Sequence, residues 1–520
     1  MSPEPLYLTV DCSTTASKAV VFDQRGSVVA AASRPLTLLQ PRPGWIEQDA
    51  REWWTATRSA IHDAVAGVDD AGRIRSLCLT HQRESFVCLD PDGQPLRPAI
   101  LWADGRAGAQ IAALGNERVH QLSGKPPDVT PALYKLAWLR EHEPAVLAGA
   151  DRVVDVHAYL AWKLTGRFVS SYPSADTLGL LDLRHLSWAP ELLALAGLKA
   201  RQLPELVAAG ARIGRLRPST AIALGLPAQT PLLAGIGDGQ AAGIGADVTG
   251  PGAAYLNLGT SMVLGVQTSD YQCDPAFRTL AGAVPGTYTL ETILNSAAYL
   301  ADWFRGQFGD PALAGAPDPG LEAAAAQLPP GSDGLLTLPY WNAAQTPYWD
   351  AAARGATIGW HGAHTRAHMY RSILEGVGFE LRLHLDGLEA ATGQRIETLR
   401  AMGGGSRSRL WTQIVADISQ RSVEIGAAGE VSALGAAVIA RAQEVDPGPA
   451  DTGRPGETTG FADRLAVAAA AMAGPRRTVL PRVLVAPDYD RLFAVYRQLY
   501  PALGPVFGSL AGAVVIKPVP

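Results

Sequence analysis

One acidic residue, Asp238, stands alone in a long stretch of small and apolar residues. The stretch, residues 231–246, begins as a short apolar run, breaks into glycines around Asp238 and continues in alanine and glycine. This pattern predicts a buried strand, a tight turn and a helix that packs closely. A carboxylate at such a junction, beside backbone that a ligand can approach, suits a base that removes a proton from a substrate. A helix cap is the alternative interpretation.

The same stretch also fits a loose dinucleotide-binding pattern through Gly237, Gly239 and Ala242. A site of that kind needs an acidic residue at the end of the next strand, about 20 residues further on, to hold a ribose. The next strand-like run, residues 253–258, contains no acid. The sequence therefore argues against a nucleotide-dependent dehydrogenase.

A hydroxyl-rich turn near the N-terminus is a candidate phosphate site. It lies between strand-like runs at residues 6–10 and 19–23, and it contains Asp11, Ser13, Thr14, Thr15 and Lys18. Hydroxyls and backbone N–H groups can hold phosphate oxygens, a lysine can add positive charge, and an aspartate can hold a metal ion through water. A decorated hairpin is the alternative.

A second turn of this kind, Gly259-Thr260-Ser261, again separates two strand-like runs. Two such openings, about 245 residues apart, indicate an internal duplication with a phosphate-gripping hairpin in each half. This layout predicts an α/β protein with the actin-like ATPase (ribonuclease H-like) fold, in which two related domains close on a nucleotide. We place the domains at residues 1–247 and 248–485, followed by a C-terminal tail at 486–520.

A glycine-rich segment precedes an amphipathic helix within residues 401–417 and contains Gly404, Gly405 and Ser408. Glycines there would bring backbone close to a flat ligand such as adenosine, whereas a flexible loop is the alternative. Further on, residues 443–475 are rich in proline, glycine, alanine and threonine and predict a linker. The C-terminal segment, residues 503–520, is apolar and interrupted by glycines, and we assign no function to it.

Composition excludes several classes of protein. A length of 520 residues predicts at least two domains, and 47% hydrophobic with 18% charged residues predicts a globular protein. The net charge of −5 gives no basic surface for nucleic acid. The four cysteines lack metal or disulfide spacing, and no signal peptide or apolar run of roughly 18 residues is present. We expect free thiols, a cytoplasmic location and no nucleic-acid or membrane partner.

Motifs along residues 5–440 resemble those of the FGGY carbohydrate kinases, the family that includes glycerol kinase and xylulokinase. Residues 43–49 read Pro-Gly-Trp-Ile-Glu-Gln-Asp, which matches an early family segment. Residues 129–142 resemble the first family signature and depart from it at Ala132. Residues 355–375 resemble the second signature and depart from it at Thr357.

The resemblance implies an enzyme that uses ATP and Mg²⁺, and it assigns roles to particular residues. Asp238 matches the catalytic base, and Asp11 matches the acid near the magnesium ion, which Asp238 also adjoins. The first phosphate loop would contain Thr14, Thr15 and Lys18, with Ser13 where glycine is usual. The second would contain Gly259, Thr260 and Ser261, and the adenosine site Gly404, Gly405 and Ser408. We also expect a homodimer.

Arg83 and Glu84 are candidates for substrate binding. They follow the apolar run at residues 74–79, so they would leave a strand end and face the cleft. A guanidinium and a carboxylate can grip neighbouring hydroxyls of a sugar or polyol, although a surface ion pair is the alternative. Trp102 offers an apolar wall, or is simply part of the core. The Gln82-Arg83-Glu84 triplet resembles glycerol kinases and not the Gln-Met-His type of xylulokinases.

Two departures from glycerol kinases bear on substrate size. Thr130 stands about where tyrosine is usual, and Gly239 follows the base where glutamine is usual. Both changes remove bulk, so we expect Asp238 and Gly239 to border a pocket for a four- or five-carbon polyol or ketopentose. Glycerol kinase proper, and a weakly catalytic protein of the same fold that binds ATP and sugar, are the alternatives.

Overall fold

The computed structural model of the protein describes residues 4–313, 316–444 and 459–513. The strands of the first half are β1 Leu6–Cys12, β2 Ala16–Asp23, β3 Val28–Pro35, β4 Glu47–Gln48, β5 Ile74–His81, β6 Phe86–Leu89, β7 Ala99–Ile100, β8 Arg152–Asp155, β9 Val169–Ser171, β10 Leu181–Asp182, β11 Ser187–Trp188, β12 Glu205–Val207, β13 Arg212–Arg215 and β14 Pro231–Gly237. Its helices are α1 Ala50–Ala66, α2 Gly108–Leu114, α3 Glu117–Ser123, α4 Ala132–His142, α5 Pro144–Gly149, α6 Val156–Thr165, α7 Tyr172–Ala175, α8 Pro190–Ala196, α9 Pro218–Leu224 and α10 Asp238–Gly245.

The second half has a similar alternation of strands and helices. Its strands are β15 Ala253–Leu258, β16 Met262–Thr268, β17 Arg278–Ala281, β18 Tyr288–Leu294, β19 Leu336–Leu338, β20 Ala356–Ile358, β21 Thr398–Met402, β22 Ser422–Gly426 and β23 Arg476–Val479. Its helices are α11 Ala298–Phe308, α12 Pro319–Ala326, α13 Arg366–Thr392, α14 Arg409–Ser419, α15 Val431–Glu444, α16 Thr459–Met472 and α17 Ala486–Ala513.

Each half is built on one large sheet, and the two sheets share a strand pattern. The first has the order β13-β14-β5-β1-β2-β3, and the second has the order β17-β18-β16-β15-β21-β22-β23. In the first, β1 pairs antiparallel with β2 and parallel with β5, which pairs parallel with β14. In the second, β15 pairs antiparallel with β16 and parallel with β21, which pairs parallel with β22. The predicted duplication is therefore visible in the strand order.

Helices α15 and α16 return to cover the first sheet. Their apolar residues share one core with Tyr7, Val20 and Phe22 of that sheet. This differs from the predicted division, which places 248–485 in the second domain alone. The predicted linker at 443–475 is also helical from Thr459 to Met472, while its residues 445–458 lie outside the described part of the chain.

Helices α10 and α15 cross at very short range, which the glycines permit. A Cβ on Gly245 would lie 2.1 Å from the carbonyl oxygen of Val431, and one on Gly435 would lie 1.9 Å from that of Ala241. Any larger residue would force the helices apart. This crossing ties the Asp238 helix to the second half of the chain.

Helix α17 is part of the second core, which the prediction of a separate tail at 486–520 did not anticipate. Its Tyr496 donates to Oε1 of Glu380 on α13 at 2.9 Å, and Tyr340 donates to the same carboxylate. Burial raises the pKa of Glu380 to about 7, while these two hydrogen bonds oppose the rise. Residues 514–520 lie outside the described part of the chain.

The state of the cysteines and the character of the long helices bear on two sequence predictions. All four cysteines are free thiols, and three of them are buried. Among the described helices, none is both long and apolar enough to cross a membrane.

Candidate active site

The predicted catalytic residues converge at one edge of the first sheet. Strands β1, β5 and β14 are parallel neighbours, so their carboxyl ends lie side by side. Asp11 lies at the end of β1, Arg83 and Glu84 follow β5, and Asp238 follows β14. In the strand pairing, His81 of β5 is opposite both Cys12 and Gly237, which aligns the three ends closely.

A cavity of about 220 Å³ opens at this edge. The first half contributes Thr14, Arg83, Glu84, Trp102, Thr130, Asp238, Gly239 and Ala242, and the second half contributes Tyr255, Asn257, Ser261, Val263, Arg278, Ile293, Asn295, Gln345 and Ser432. The cavity therefore lies between the two domains. The sequence prediction placed the substrate-binding residues in the first domain only.

Asp238 is the first residue of α10, and its side chain is 38% exposed. Gly237 occupies the N-cap position, so the alternative that Asp238 caps the helix is wrong. The carboxylate accepts a hydrogen bond from its neighbour Gly239 N at 2.8 Å and lies 3.2 Å from Arg83 Nε. Burial raises the pKa of Asp238, and Arg83 opposes that rise. A free carboxylate oxygen is thus presented to the cavity.

Asp11 has the features of a cation ligand. Among the described residues, no donor reaches its buried Oδ1. Burial, and secondarily the charge of Asp238, raise the pKa of Asp11 to about 7. A buried acceptor near a second carboxylate fits a hard cation such as Mg²⁺, which is bound by one or two carboxylates and water. The described residues contain no cluster of three or more possible metal ligands, so waters and phosphate would have to complete the shell.

Arg83 and Glu84 are not a surface ion pair. Their side chains are 9% and 5% exposed, and each pairs with residues other than its neighbour. Arg83 contacts Asp238 and also donates to Glu291 Oε2 at 3.1 Å. Glu84 accepts from Arg278 Nη1 at 2.7 Å. Both residues are thus held at the cavity by fixed partners.

The first hydroxyl-rich turn is tied to one wall of the 220 Å³ cavity. Trp102 Nε1 donates to Thr14 Oγ1 at 3.0 Å, so Trp102 faces the cavity and is not simply core. Ser13 Oγ donates within the turn to the carbonyl of Ala16 at 2.9 Å, and Thr15 is exposed. Lys18 Nζ lies 2.7 Å from Glu430, just before α15. The lysine is therefore engaged across the domains.

The second hydroxyl-rich turn joins β15 and β16 and contacts the start of α11. The carbonyls of Gly259 and Thr260 accept from the N–H groups of Ala298 and Ala297 at 2.9 and 3.0 Å. Thr260 is exposed, while Ser261 lines the 220 Å³ cavity. The turn thus borders this cavity, where the Ser261 hydroxyl donates to the Asn295 carbonyl at 3.5 Å.

A second cavity, of about 600 Å³, lies beside the glycine-rich segment. Gly404 lines it and a Cβ there would meet nothing within 4 Å, whereas one on Gly405 would lie 2.6 Å from the Trp411 ring. Ser408 caps α14 by accepting from Trp411 N at 3.0 Å, and its hydroxyl donates to Glu322 at 2.6 Å. Of the three residues predicted for adenosine, only Gly404 borders this cavity. The other two are used for local packing and capping.

Comparison with known proteins identifies the family. A model of the N-terminal domain of the FGGY family of carbohydrate kinases matches residues 6–245, and a model of its C-terminal domain matches residues 254–443. The xylulose kinase of Escherichia coli (strain K12) is 33% identical over 445 residues, which cover 84% of this chain and 90% of that protein. The chain belongs to the FGGY family of carbohydrate kinases. It is therefore an enzyme of the class that the sequence predicts.

Relatives of this FGGY kinase differ in the substrate that their names state. The glycerol kinase of Bordetella parapertussis is 32% identical over 464 residues, covering 85% of this chain and 89% of that protein. The crystal structure of gluconate kinase from Lactobacillus acidophilus matches with a TM-score of 0.88 and 25% identity, covering 98% of this chain and all of that one. The fold prediction is confirmed, while the substrate is not decided by similarity.

Three second-domain residues of this FGGY kinase line or support the cavity and were not predicted from the sequence. Glu291 lies in β18, Arg278 begins β17, and Tyr255 lies in β15. All three side chains are buried. For Glu291 and Arg278 the available signal was a charge inside an apolar, strand-like run, since buried charges require partners.

Gly239 does not leave room for a ligand. A Cβ at this position would lie 2.7 Å from Nη2 and 2.8 Å from Cζ of Arg83. The guanidinium therefore fills the space that the missing side chain leaves. This corrects the expectation that Gly239 enlarges the pocket, whereas Thr130 does line the cavity with its smaller side chain.

Proposed function

We propose that this kinase transfers the γ-phosphoryl group of ATP to a hydroxyl of a neutral polyol or ketose of four or five carbons. The observation that carries the proposal is the charge balance of the 220 Å³ cavity. Its two guanidiniums, Arg83 and Arg278, are each paired with two carboxylates drawn from Asp238, Glu291 and Glu84. No positive charge is left over in this group for an anionic sugar.

The charge balance argues against a sugar acid as the substrate. An aldonate would bring a carboxylate beside three carboxylates and two guanidiniums that are already engaged, and like charges close together repel strongly. Hydroxyl groups, in contrast, can accept from Arg83 and donate to Glu84 without disturbing these pairs. Neutral polyols and ketoses therefore suit the cavity better than gluconate does.

The size of the cavity favours a substrate larger than glycerol. The cavity has a volume of about 220 Å³, well above the ~30 Å³ that one water molecule takes up. Thr130 borders this space, and its hydroxyl donates to Asp128 at 3.2 Å and not into the cavity. Trp102 supplies an apolar wall for carbon–hydrogen edges. A chain of four or five carbons would use this space more fully than three.

The residues around the cavity suit in-line phosphoryl transfer, which depends on positioning and on neutralised charge. Asp238 would accept the proton of the attacking hydroxyl. The turns that carry Thr14 and Ser261 would hold phosphate oxygens from opposite domains. Asp11 and Asp238 would hold Mg²⁺, which neutralises charge on the phosphates.

Release of ADP in a coupled assay tests the proposal. Glycerol, erythritol, threitol, pentitols, ketopentoses and gluconate are compared at equal concentration, and kcat/KM is determined for each. We expect the highest kcat/KM for a neutral four- or five-carbon substrate and at least ~100-fold less for gluconate. A preference for glycerol over every longer polyol, or for gluconate, would refute the proposal.

A further inference from the structure

A chain of five charged side chains, four of them buried, crosses the cleft between the two domains. In order, it consists of Asp238, Arg83, Glu291, Arg278 and Glu84, and we call it the charge ladder. Signs alternate along it, with contacts of 3.2 Å from Asp238 to Arg83, 3.1 Å from Arg83 to Glu291, 2.5 Å from Glu291 to Arg278, and 2.7 Å from Arg278 to Glu84. Its third and fourth members, Glu291 and Arg278, belong to the second domain and the other three to the first.

Glu291 is the centre of the ladder. Its Oε2 accepts from Arg83 Nη1 and from Tyr255 OH at 2.7 Å, and its Oε1 accepts from Nε and Nη2 of Arg278. The side chain has no exposed surface. Burial alone would raise its pKa, but Arg83 and Arg278 hold the pKa of Glu291 at about 2. Glu291 is thus a fixed negative charge that fixes both guanidiniums.

Glu84 depends on Arg278 for its orientation. Its backbone has φ of 62°, in the left-handed region that residues other than glycine rarely adopt. Such a conformation persists only when its surroundings hold it. The Glu84 N–H donates to Thr177 Oγ1 at 3.3 Å, and its carboxylate accepts from Arg278 Nη1 at 2.7 Å. The buried ammoniums of Lys125 and Lys135 also attract this carboxylate, but neither hydrogen-bonds to it.

We propose that Arg278 and Glu291 are positioning residues of the sugar site. Arg278 holds the Glu84 carboxylate toward the cavity, and Glu291 holds both Arg278 and the Arg83 guanidinium that adjoins Asp238. The first domain therefore supplies the side chains that bind the sugar, and the second domain determines their orientation. This inference deepens the proposed function and rests on its sugar site.

A double-mutant cycle between Arg278→Gln and Glu84→Gln tests whether Arg278 acts through Glu84. We expect Arg278→Gln to raise KM for the sugar ~10–100-fold with kcat within ~3-fold, because it removes binding shared by ground and transition states. In the Glu84→Gln background the same substitution should change KM less than ~3-fold, since coupled residues are not additive. Additive effects would overturn the proposal and mean that Arg278 contacts the sugar itself.

The split between KM and kcat separates the two residues. Glu291→Gln should raise KM and also lower kcat, because Glu291 additionally fixes Arg83 beside Asp238. Arg278→Lys should restore part of the KM lost in Arg278→Gln, since a cation remains but not the two-pronged contact. Wild-type kcat and KM in Glu291→Gln would overturn the proposal.

Arg371→Gln is the matched control for lost stability. Arg371 is also buried in the second domain and pairs with Glu375 at 2.8 Å, but it does not line the sugar cavity. We expect this variant to lower Tm and to leave KM for the sugar unchanged. An equal rise in KM in both variants would reduce the effect of Arg278 to general destabilisation and overturn the proposal.

Hydrogen exchange provides a test that needs no substrate. If Arg278 holds Glu84, Arg278→Gln should speed amide exchange at residues 82–85 at least ~10-fold over wild type, whereas Arg371→Gln should not. Unchanged exchange at 82–85 would overturn the inference. Failure of this inference can be told apart from failure of the proposed function. The proposed function is tested by the substrate preference of the wild-type enzyme, whereas the double-mutant cycle can be measured with whichever sugar the enzyme phosphorylates.

Discussion

Replacing Gly239 by alanine tests how the cavity is filled. The new Cβ would lie 2.7 Å from Arg83 Nη2 and 3.0 Å from Nη1, so the guanidinium must move. It cannot move freely, since it is held at 3.2 Å by Asp238 and at 3.1 Å by Glu291. Hydrogen bonds to charged groups contribute ~1.5–3 kcal/mol. Weakening one of them should lower kcat/KM ~10–100-fold, at 1.36 kcal/mol per tenfold.

The loss should be the same for every substrate, because Arg83 adjoins both the sugar and Asp238. If position 239 were instead open space for a ligand, alanine would penalise the longer polyols and spare glycerol. Stability should change little, because the ~1 kcal/mol that alanine gains over glycine in a helix offsets the cost of displacing Arg83. The assay is kcat/KM for glycerol and a pentitol, with Tm measured on the same preparations.

Gly306→Ala is the matched control, because Gly306 lies in helix α11 with nothing within 4 Å of a Cβ. It should keep wild-type activity and slightly raise Tm. Wild-type kcat/KM in Gly239→Ala, or a loss confined to the longer polyols, would refute the account of Arg83.

Three further predictions concern the pocket wall, the metal ligand and a buried acid. Thr130→Tyr should lower kcat/KM for pentitols relative to glycerol by at least ~10-fold, because it narrows the cavity; an unchanged ratio contradicts this. Asp11→Asn should raise the Mg²⁺ concentration for half-maximal rate ~10-fold or more; an unaltered Mg²⁺ titration would remove Asp11 from the metal site. Glu380 has a pKa raised from 4.5 to about 7, so its own contribution to stability should be greatest below pH 4.5 and fall as pH rises to 7, by up to about 3 kcal/mol. Glu380→Gln should therefore be more stable than wild type at pH 8 but not at pH 5. If the difference in free energy of unfolding between the variant and wild type is the same at both pH values, burial does not raise the pKa of Glu380.

The sequence alone predicts the catalytic edge because its residues follow apolar runs directly. Asp11, Glu84 and Asp238 each stand where a buried strand ends, and parallel strands bring such ends together. The repeated hydroxyl-rich turns likewise predict two related sheets. Local pattern is sufficient for these features.

The residues that the prediction missed depend on contacts between distant parts of the chain. Glu291 and Arg278 are charges within apolar runs that pair with each other across β17 and β18. Their other partners, Arg83 and Glu84, become visible only when the two domains face each other. The space beside Gly239 is filled by Arg83, which is distant in sequence. Helix α17 continues through Pro501 and Pro505, where local propensity predicts a break. Packing against α13 and its Glu380 fixes this segment instead.

The most direct test of the account is the turnover of Asp238→Asn, measured with the substrate that the wild-type enzyme prefers. Asparagine keeps the size of the side chain and removes its ability to accept a proton. The account predicts that kcat falls ~10²–10⁴-fold, while calorimetry shows sugar and ATP binding within a few fold of wild type. A variant that binds both ligands and keeps wild-type turnover would contradict the role of Asp238 as the base.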